Sequence, residues 1–252
     1  MIEIPGWTAF AEKLLKIGLD IFATAEVTIT DKGFADEKVL ALALLARTLS
    51  NLKGTLLLLR EKRIVEARTI VRCCLENEYW VAGLIREGEA FTRRMLHDEV
   101  SHRKQLGQFM FDNAIELETE IEGRLRAWLG DTNKRFAGAK MLHPKQVASL
   151  SDIGKTYIFY GQLSSDAGHP SVTALNRYIV PNTADEVGGI DVEPIVEDKE
   201  IDETLEYLCQ AVMGVCIGVS QILGGTRGGA ALNDTLADEY IALSNKSASK
   251  AA

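Results

Sequence analysis

The sequence predicts an all-α protein that folds as an antiparallel helical bundle. Three observations support this prediction: long segments repeat apolar residues at helical spacing, the breaks between them are short, and strand-like alternation is nearly absent. The chain has 252 residues, which is enough for one domain with a sizeable core. We assign residues 1–225 to a single helical-bundle domain and residues 226–252 to a partly disordered C-terminal tail.

The individual helices follow from this periodicity and from the residues that interrupt it. Trp7 begins the first amphipathic stripe, and Pro144 and Pro170 can each begin a later helix, since proline suits the first helical turn. Helices are predicted at residues 7–27, 36–61, 64–86, 90–113, 114–136, 144–163, 170–178 and 201–223.

One segment departs from the helical pattern. Between residues 180 and 199 the composition changes to proline, glycine and acidic residues. Residues 178–180 and 191–196 flank Gly188 and Gly189 and could pair as two strands, since paired glycines favour a tight turn. We therefore expect one small β-hairpin near residues 178–196.

The second predicted helix carries a leucine seam, in which leucines alternate at spacings of three and four. The seam consists of Leu42, Leu45, Leu49, Leu52, Leu56 and Leu59. This heptad spacing fits a coiled-coil homodimer or packing inside a bundle of the same chain. The bundle is favoured because only about three heptads are present, and the homodimer is the alternative.

Charge and cysteine content narrow the class of protein. A net charge of -8 and a pI near 5.2 argue against an extended DNA-binding face, although they leave room for a local basic pocket. The four cysteines have no zinc-binding spacing and are expected to stay reduced. The N-terminal residues lack the basic stretch and cleavage site of a signal peptide. We therefore expect a cytoplasmic protein.

Two apolar segments, residues 39–59 and 205–223, raise the question of a membrane. A spanning helix needs about 20 nearly continuous apolar residues. Arg47 and Lys53 interrupt the first segment, and Glu206 interrupts the second. We interpret both segments as buried helices of a bundle and expect no membrane partner.

The third predicted helix places charged and aromatic residues on one face. Arg68, Arg72, Glu76 and Tyr79 recur at spacings of three and four, so they lie on one side of the helix. The simpler interpretation is a solvated stripe, in which Arg72 pairs with Glu76 one turn away. The functional interpretation is a cleft in which arginine binds a phosphate or a carboxylate.

The most concentrated chemistry lies in residues 157–171, which read YIFYGQLSSDAGHPS. Tyr160, Ser164 and His169 bring hydroxyls and an imidazole next to helix-breaking residues. Helix capping explains part of this composition, and a Ser–His–Asp triad is not expected because no G-x-S-x-G elbow is present. We expect this segment to lie against the charged face of the third helix, since buried polar groups need partners.

Motifs for metals and cofactors are weak. Glu99 and His102 form a Glu-x-x-His pair, but di-metal bundles need two such pairs and the sequence has no second one. The sequence has no P-loop, and no G-x-G-x-x-G follows a predicted strand. We predict no metal site and no cofactor.

The motifs of the third helix and of residues 157–171 together resemble a large bacterial family of helical proteins of unknown function. Its members combine a leucine-rich helix, an R-x3-E helix and a late Y-x3-LS…HPS segment. The matching positions here are Arg72, Glu76, Tyr160, Leu163, Ser164, His169, Pro170 and Ser171. The resemblance covers roughly residues 40–223 and implies a helical bundle.

That family is loosely similar to HEPN-type helical bundles, which include RNases of toxin–antitoxin and phage-defence systems. Those RNases use an Arg-x4–6-His motif on one helix. This chain departs from that pattern: three residues separate Arg93 from His97, and seven separate Arg135 from His143. An arginine and a histidine from two separate helices would have to supply the same chemistry.

These patterns lead to two functional hypotheses. The first is a pocket for RNA, a nucleotide or another anionic ligand, with metal-independent phosphodiester cleavage. There His169 would act as general base, Arg72 would bind phosphate and Glu76 would orient Arg72. Further ligand contacts are assigned to Arg68, Tyr79, Tyr160 and Ser164. The second hypothesis is a non-catalytic interaction or regulatory protein that acts through helix-mediated association.

Overall fold

Ten α-helices and one two-stranded sheet make up the part of the chain that the structure describes. The computed structural model describes residues 6–113, 115–183, 187–193 and 195–251, the last four as backbone only. The helices are α1 (Trp7–Ala23), α2 (Glu37–Arg60), α3 (Ile64–Glu87), α4 (Glu89–Asp112), α5 (Thr119–Arg135), α6 (Pro144–Ala148), α7 (Tyr157–Leu163), α8 (Val172–Leu175), α9 (Asp198–Ile222) and α10 (Asp234–Ala251). The strands are β1 (Ile179–Val180) and β2 (Gly189–Ile190). The predicted all-α bundle is confirmed.

Helices α2, α3 and α9 form the centre of the bundle, and α1 packs across α2 and α9. Only residues 61–63 separate α2 from α3, so these two helices run antiparallel. Leu45, Leu75 and Leu205 are almost completely buried where the three helices meet. The core is therefore assembled from apolar stripes that are distant in sequence.

The leucine seam of α2 packs inside the chain. Of its six leucines only Leu42 is partly exposed, and the others belong to the buried core. Helices α1, α3 and α9 all pack against α2. The structure thus agrees with the bundle interpretation, because a coiled-coil partner could reach this seam only if the bundle opened.

Leu52→Ala is expected to lower the free energy of unfolding by about 2–5 kcal/mol, since deleting a fully buried leucine leaves a cavity. Leu57→Ala is the matched control, because Leu57 lies on the same helix and is 59 % exposed. The control should change the free energy by about 0.5 kcal/mol or less. Urea unfolding measures both variants, and a loss below about 1 kcal/mol for Leu52→Ala would place the seam at the periphery.

Helices α2 and α9 are each long and apolar enough to cross a membrane, judged by length and composition alone. Core helices meet the same criterion, and these two lie at the centre of the bundle. Both also carry polar groups with partners inside the chain. Asn77 donates a hydrogen bond to the Thr48 hydroxyl of α2 (2.9 Å), and Arg68 donates one to the Thr204 hydroxyl of α9 (3.1 Å). About a third of the apolar stretch of α2 and just over half of that of α9 are buried within the chain.

The predicted single helix over residues 144–163 is wrong. The structure divides it into α6, a 3-10 turn at Asp152–Thr156, and α7. The Ser149 hydroxyl donates to the carbonyl of Gln146 (2.7 Å), a local bond that competes with helical bonding. At Gly154 a β-carbon would lie 3.1 Å from the carbonyl oxygen of Ala148, so the chain folds back closely there.

The small hairpin near residues 178–196 is confirmed, although its register differs from the predicted one. Ile179 lies opposite Ile190, and Val180 lies opposite Gly189 in an antiparallel pair. Gly189 therefore belongs to a strand rather than to the turn. The backbone amide of Gly188 donates a hydrogen bond to the Asn182 side chain (2.6 Å), and this bond connects the two ends of the hairpin loop.

The segment assigned to the C-terminal tail contains a 3-10 turn, Gly228–Ala231, and helix α10. The Trp7 indole of α1 donates a hydrogen bond to the Ser247 hydroxyl of α10 (2.9 Å). The Trp7 ring also meets the Tyr240 ring edge-on at 5.3 Å. The division of the chain into one domain and a tail stays a prediction.

Candidate functional site

The charged face of α3 meets α7 at a cluster of three polar side chains. The Tyr160 hydroxyl donates to Glu76 Oε1 (2.7 Å), and Arg72 donates to the same oxygen (3.0 Å). Arg72 also donates to the Tyr160 hydroxyl, and its guanidinium carbon lies 5.1 Å from the centre of the Tyr160 ring. Tyr160 therefore completes one hydrogen-bond network with two residues that precede it by 88 and 84 positions in the chain.

Tyr160 is held as a neutral hydrogen-bond donor. Burial, together with the hydrogen bond to Glu76, raises the pKa of its hydroxyl to about 12. The Tyr157 ring stacks on the Tyr160 ring at 5.4 Å, and the Tyr79 ring lies 6.1 Å away. Tyr79 is fully buried and accepts a hydrogen bond from Thr156 (3.3 Å). Tyr79 thus fixes Tyr160 from the interior, and direct ligand contact by Tyr79 stays a prediction.

Arg68 lies one turn before Arg72 and is only 3 % exposed, which contradicts a fully solvated stripe. It donates hydrogen bonds to Asp166, Glu203 and the Thr204 hydroxyl. Arg177 joins the same cluster by donating to Asp166 and Glu200. A ligand could reach Arg68 only by displacing these carboxylates, so the geometry gives Arg68 a structural role.

Asp166 reaches this cluster because Ser164–Gly168 forms a π-helical turn directly after α7. Burial alone would raise the pKa of Asp166, but hydrogen bonds from Arg177 and Arg68 hold it below its usual range. This network was not predicted from the sequence; its members besides Arg68 are Asp166, Arg177, Glu200 and Glu203. The available signal was the spacing of Glu200 and Glu203, which lie one helical turn apart on α9.

The remaining predicted site residues lie at the edge of this region. The Arg72 Nε is buried and has no hydrogen-bond partner in the described part of the chain. The Ser164 hydroxyl, also buried, lies beside the Tyr160 hydroxyl and lowers its pKa. Gly168 packs against Arg72, since a β-carbon there would lie 3.4 Å from Nε. The next side chain, His169, is exposed to solvent and makes no hydrogen bond with described residues. Its role as general base stays a prediction.

Glu76 and Tyr160 also line a cavity of about 430 Å³, here called the Tyr160 cavity. Its lining also includes Arg47 of α2, Asp98 and His102 of α4, and His143, which directly precedes α6. Trp80 adds an aromatic wall. Among the residues described, Arg47 has no hydrogen-bond or ion-pair partner, so its charge is available to a ligand.

Asp98 fixes the position of the two histidines. Its Oδ1 accepts a hydrogen bond from the backbone amide of Leu142 (2.7 Å), which ties the segment before α6 to α4. The same oxygen lies 3.8 Å from His102 Nε2. Asp98 therefore holds His143, through its neighbour, beside the helix that carries His102.

Metal binding has no support from this arrangement. Glu99 pairs with Arg103 (2.6 Å) rather than joining His102. In the residues for which a structure is given, no group of three or more histidine, cysteine, aspartate or glutamate side chains could hold a metal ion.

Comparison with known proteins adds one finding. No curated protein and no solved structure matches the chain. The model of a family of unknown function, DUF5677, matches residues 38–187. The matched segment runs from α2 to beyond β1, so it contains every residue that lines the Tyr160 cavity, whereas the α9 partners of Arg68 lie outside it. Since the match spans more than half of the sequence, the chain belongs to the DUF5677 family of unknown function.

Proposed function

We propose that the Tyr160 cavity binds an anionic ligand of the phosphate-ester class, such as a nucleotide or RNA. One observation carries the proposal: Glu76 and Tyr160 line the same cavity as an unpaired arginine and two histidines. The Arg47 guanidinium can accept a phosphate in its planar fork of donors. Trp80 offers a surface on which a base can stack.

Metal-independent cleavage of RNA is the activity that these side chains support best. One imidazole would remove the proton of a ribose 2′-hydroxyl, and that oxygen would attack the adjacent phosphorus. The bond from phosphorus to the 5′-oxygen would break as the second imidazole gives its proton to the leaving oxygen. The products are a 2′,3′-cyclic phosphate and a 5′-hydroxyl. His102 and His143 are the candidate pair, with Arg47 stabilising the charge on phosphate.

Arg72 acts in this proposal as a positioning residue. Its guanidinium donates hydrogen bonds to Glu76 and Tyr160, which line the cavity. Phosphate binding by Arg72, with Glu76 orienting it, stays a prediction. His169 as general base remains the competing assignment. The kinship with HEPN RNases and a role in defence or toxin systems also remain proposals, and a cytoplasmic location accords with them.

The cavity assignment is tested by Arg47→Ala, His102→Gln and His143→Gln. We expect Arg47→Ala to weaken binding of a short single-stranded RNA about tenfold, since a charge-assisted bond is lost. Each histidine variant should lower cleavage by about 100-fold or more while binding is kept. Calorimetric titration measures binding, and gel analysis of RNA in the presence of a chelator measures cleavage.

Two matched controls accompany this experiment. Arg124→Ala removes an exposed arginine of α5 that does not line the cavity, and His169→Gln removes the histidine outside it. Equal binding by Arg47→Ala and Arg124→Ala would disprove the ligand site. Loss of cleavage only in His169→Gln would restore the assignment of His169 and reject the pair in the cavity.

A non-catalytic interaction protein is the second candidate, favoured by exposed apolar side chains on α4 and α5. Leu106 is 64 % exposed, Phe109 is 55 % exposed and Ile121 is 48 % exposed. A second copy of the chain would be the partner, through this surface rather than through the buried leucine seam that was the alternative considered from the sequence. Light scattering of the purified chain would separate the two cases, since a monomer at all concentrations rejects self-association.

A further inference from the structure

A second cavity adjoins the Tyr160 cavity and has a volume of about 620 Å³. Its polar lining includes Arg94, His97, Ser101, Gln105, Lys140 and His143. The two cavities share residues 141–143, so one segment forms part of both walls. We call the second one the Lys140 cavity.

The Lys140 cavity is cationic. Two side chains carry a permanent positive charge, two are histidines, and no carboxylate belongs to its described lining. Glu87 neutralises Arg94 in part, through hydrogen bonds of 2.9 and 2.7 Å. Lys140 is exposed and has no ion-pair partner where the chain is described, so its charge is free to attract an anion.

Ser101 supplies an independent observation. The residue is 7 % exposed and lines the cavity, and its Oγ finds no hydrogen-bond partner in the described structure. A buried hydroxyl without a partner costs free energy, so such groups normally bind something. His97 lies one helical turn before Ser101 on α4, which places both on the same side of the helix. A phosphate oxygen is a suitable acceptor for this hydroxyl.

We propose that the Lys140 cavity is a subsite for a second phosphate of the ligand bound in the Tyr160 cavity. The inference rests on the proposed function, and it names the ligand as an oligonucleotide rather than a mononucleotide. His143 lines both cavities, so it would lie between two successive phosphates of one strand. Cleavage of the bond between two nucleotides needs an acid or a base at that position.

The test compares two probes on the whole chain, adenosine 5′-monophosphate and a single-stranded RNA tetranucleotide. We expect the wild-type chain to bind the tetranucleotide at least about tenfold more tightly than the mononucleotide. Lys140→Ala and Ser101→Ala should reduce this preference severalfold and leave mononucleotide affinity unchanged. Lys145→Ala is the matched control, because Lys145 is exposed on α6 and lines neither cavity. Thermal unfolding checks that each variant folds.

The outcomes separate the two proposals. If Lys140→Ala and Ser101→Ala prefer the tetranucleotide as strongly as Lys145→Ala does, the proposed second subsite is wrong. A loss of RNA binding in Arg47→Ala would still support the ligand site in the Tyr160 cavity. If Arg47→Ala binds both probes as the wild type does, the ligand of the Tyr160 cavity is wrong, and the bridging ligand is rejected with it.

Discussion

Arg68→Ala is expected to lower the free energy of unfolding by roughly 3–5 kcal/mol, because it leaves buried carboxylates without their main partner. Asp166 is only 7 % exposed and depends on Arg68 and Arg177 for its positive partners. Glu203 also accepts a hydrogen bond from Arg68. Removing one member of such a network lowers the free energy of unfolding by more than the intact pair contributes to it, because the remaining charge stays buried without a partner.

The matched control is Arg63→Ala, which removes an arginine just before α3. Arg63 pairs with Glu193 at 2.7 Å, but the two side chains are 47 % and 61 % exposed. Solvent screens such a pair, so we expect a change of about 1 kcal/mol or less. Urea unfolding of both variants decides the question. Equal losses would mean that the Arg68 cluster is solvated in solution.

Lowering the pH should reduce the difference in the free energy of unfolding between the wild type and Arg68→Ala. The pKa of Asp166 is lowered on folding from an unfolded value of 3.8. Its contribution to stability is therefore present above that value and is lost as the pH falls through the folded pKa. A difference that grows as the pH is lowered would contradict the ion-pair explanation.

The sequence predicted the long helices and the buried seam because those features are local. Apolar spacing within α2 is enough to place Leu45 and Leu52 on one buried face. The break inside residues 144–163 could not be predicted in this way. It depends on the close approach of Gly154 to Ala148 and on side-chain bonds that periodicity does not contain.

The candidate site likewise contains some contacts that the sequence predicts and others that it does not. Arg72, Glu76 and Tyr160 could be predicted to meet, since polar groups on buried helices need partners. The partners of Arg68 could not, because Thr204 lies 136 residues away and no local spacing connects them. The histidines of the cavity were missed for a similar reason. From the sequence, His102 was considered only as a metal ligand, whereas the fold places it in the same cavity as His143.

Glu78→Gln is expected to stabilise the protein in alkaline solution and to have little effect in acid. Glu78 of α3 is 5 % exposed, and its Oε2 has no hydrogen-bond partner among the described residues. Burial raises the pKa of its carboxyl to about 8 from an ordinary value of 4.5, and a bond from Gln210 lowers it only in part. Gly214 of α9 leaves the space for this side chain, since a β-carbon there would collide with Oε1.

The direction of the effect follows from proton binding in the two states. Below about pH 4.5 the carboxyl is protonated in the folded and in the unfolded chain. Between about pH 4.5 and 8 the unfolded chain loses this proton while the folded chain keeps it, so the free energy of unfolding falls. Each pKa unit corresponds to about 1.4 kcal/mol, so the loss amounts to roughly 3–5 kcal/mol above pH 8.

Glutamine has nearly the shape of a protonated glutamate and never ionises, so it removes this loss. Urea unfolding at several pH values between about 4.5 and 9 should show two curves that coincide in acid and separate as the pH rises. Glu66→Gln controls for the change in formal charge, because Glu66 is exposed on the same helix. If the two glutamine variants show the same dependence on pH, the Glu78 carboxyl is ionised in the folded chain, and water or a shift of the Gln210 side chain must then satisfy it.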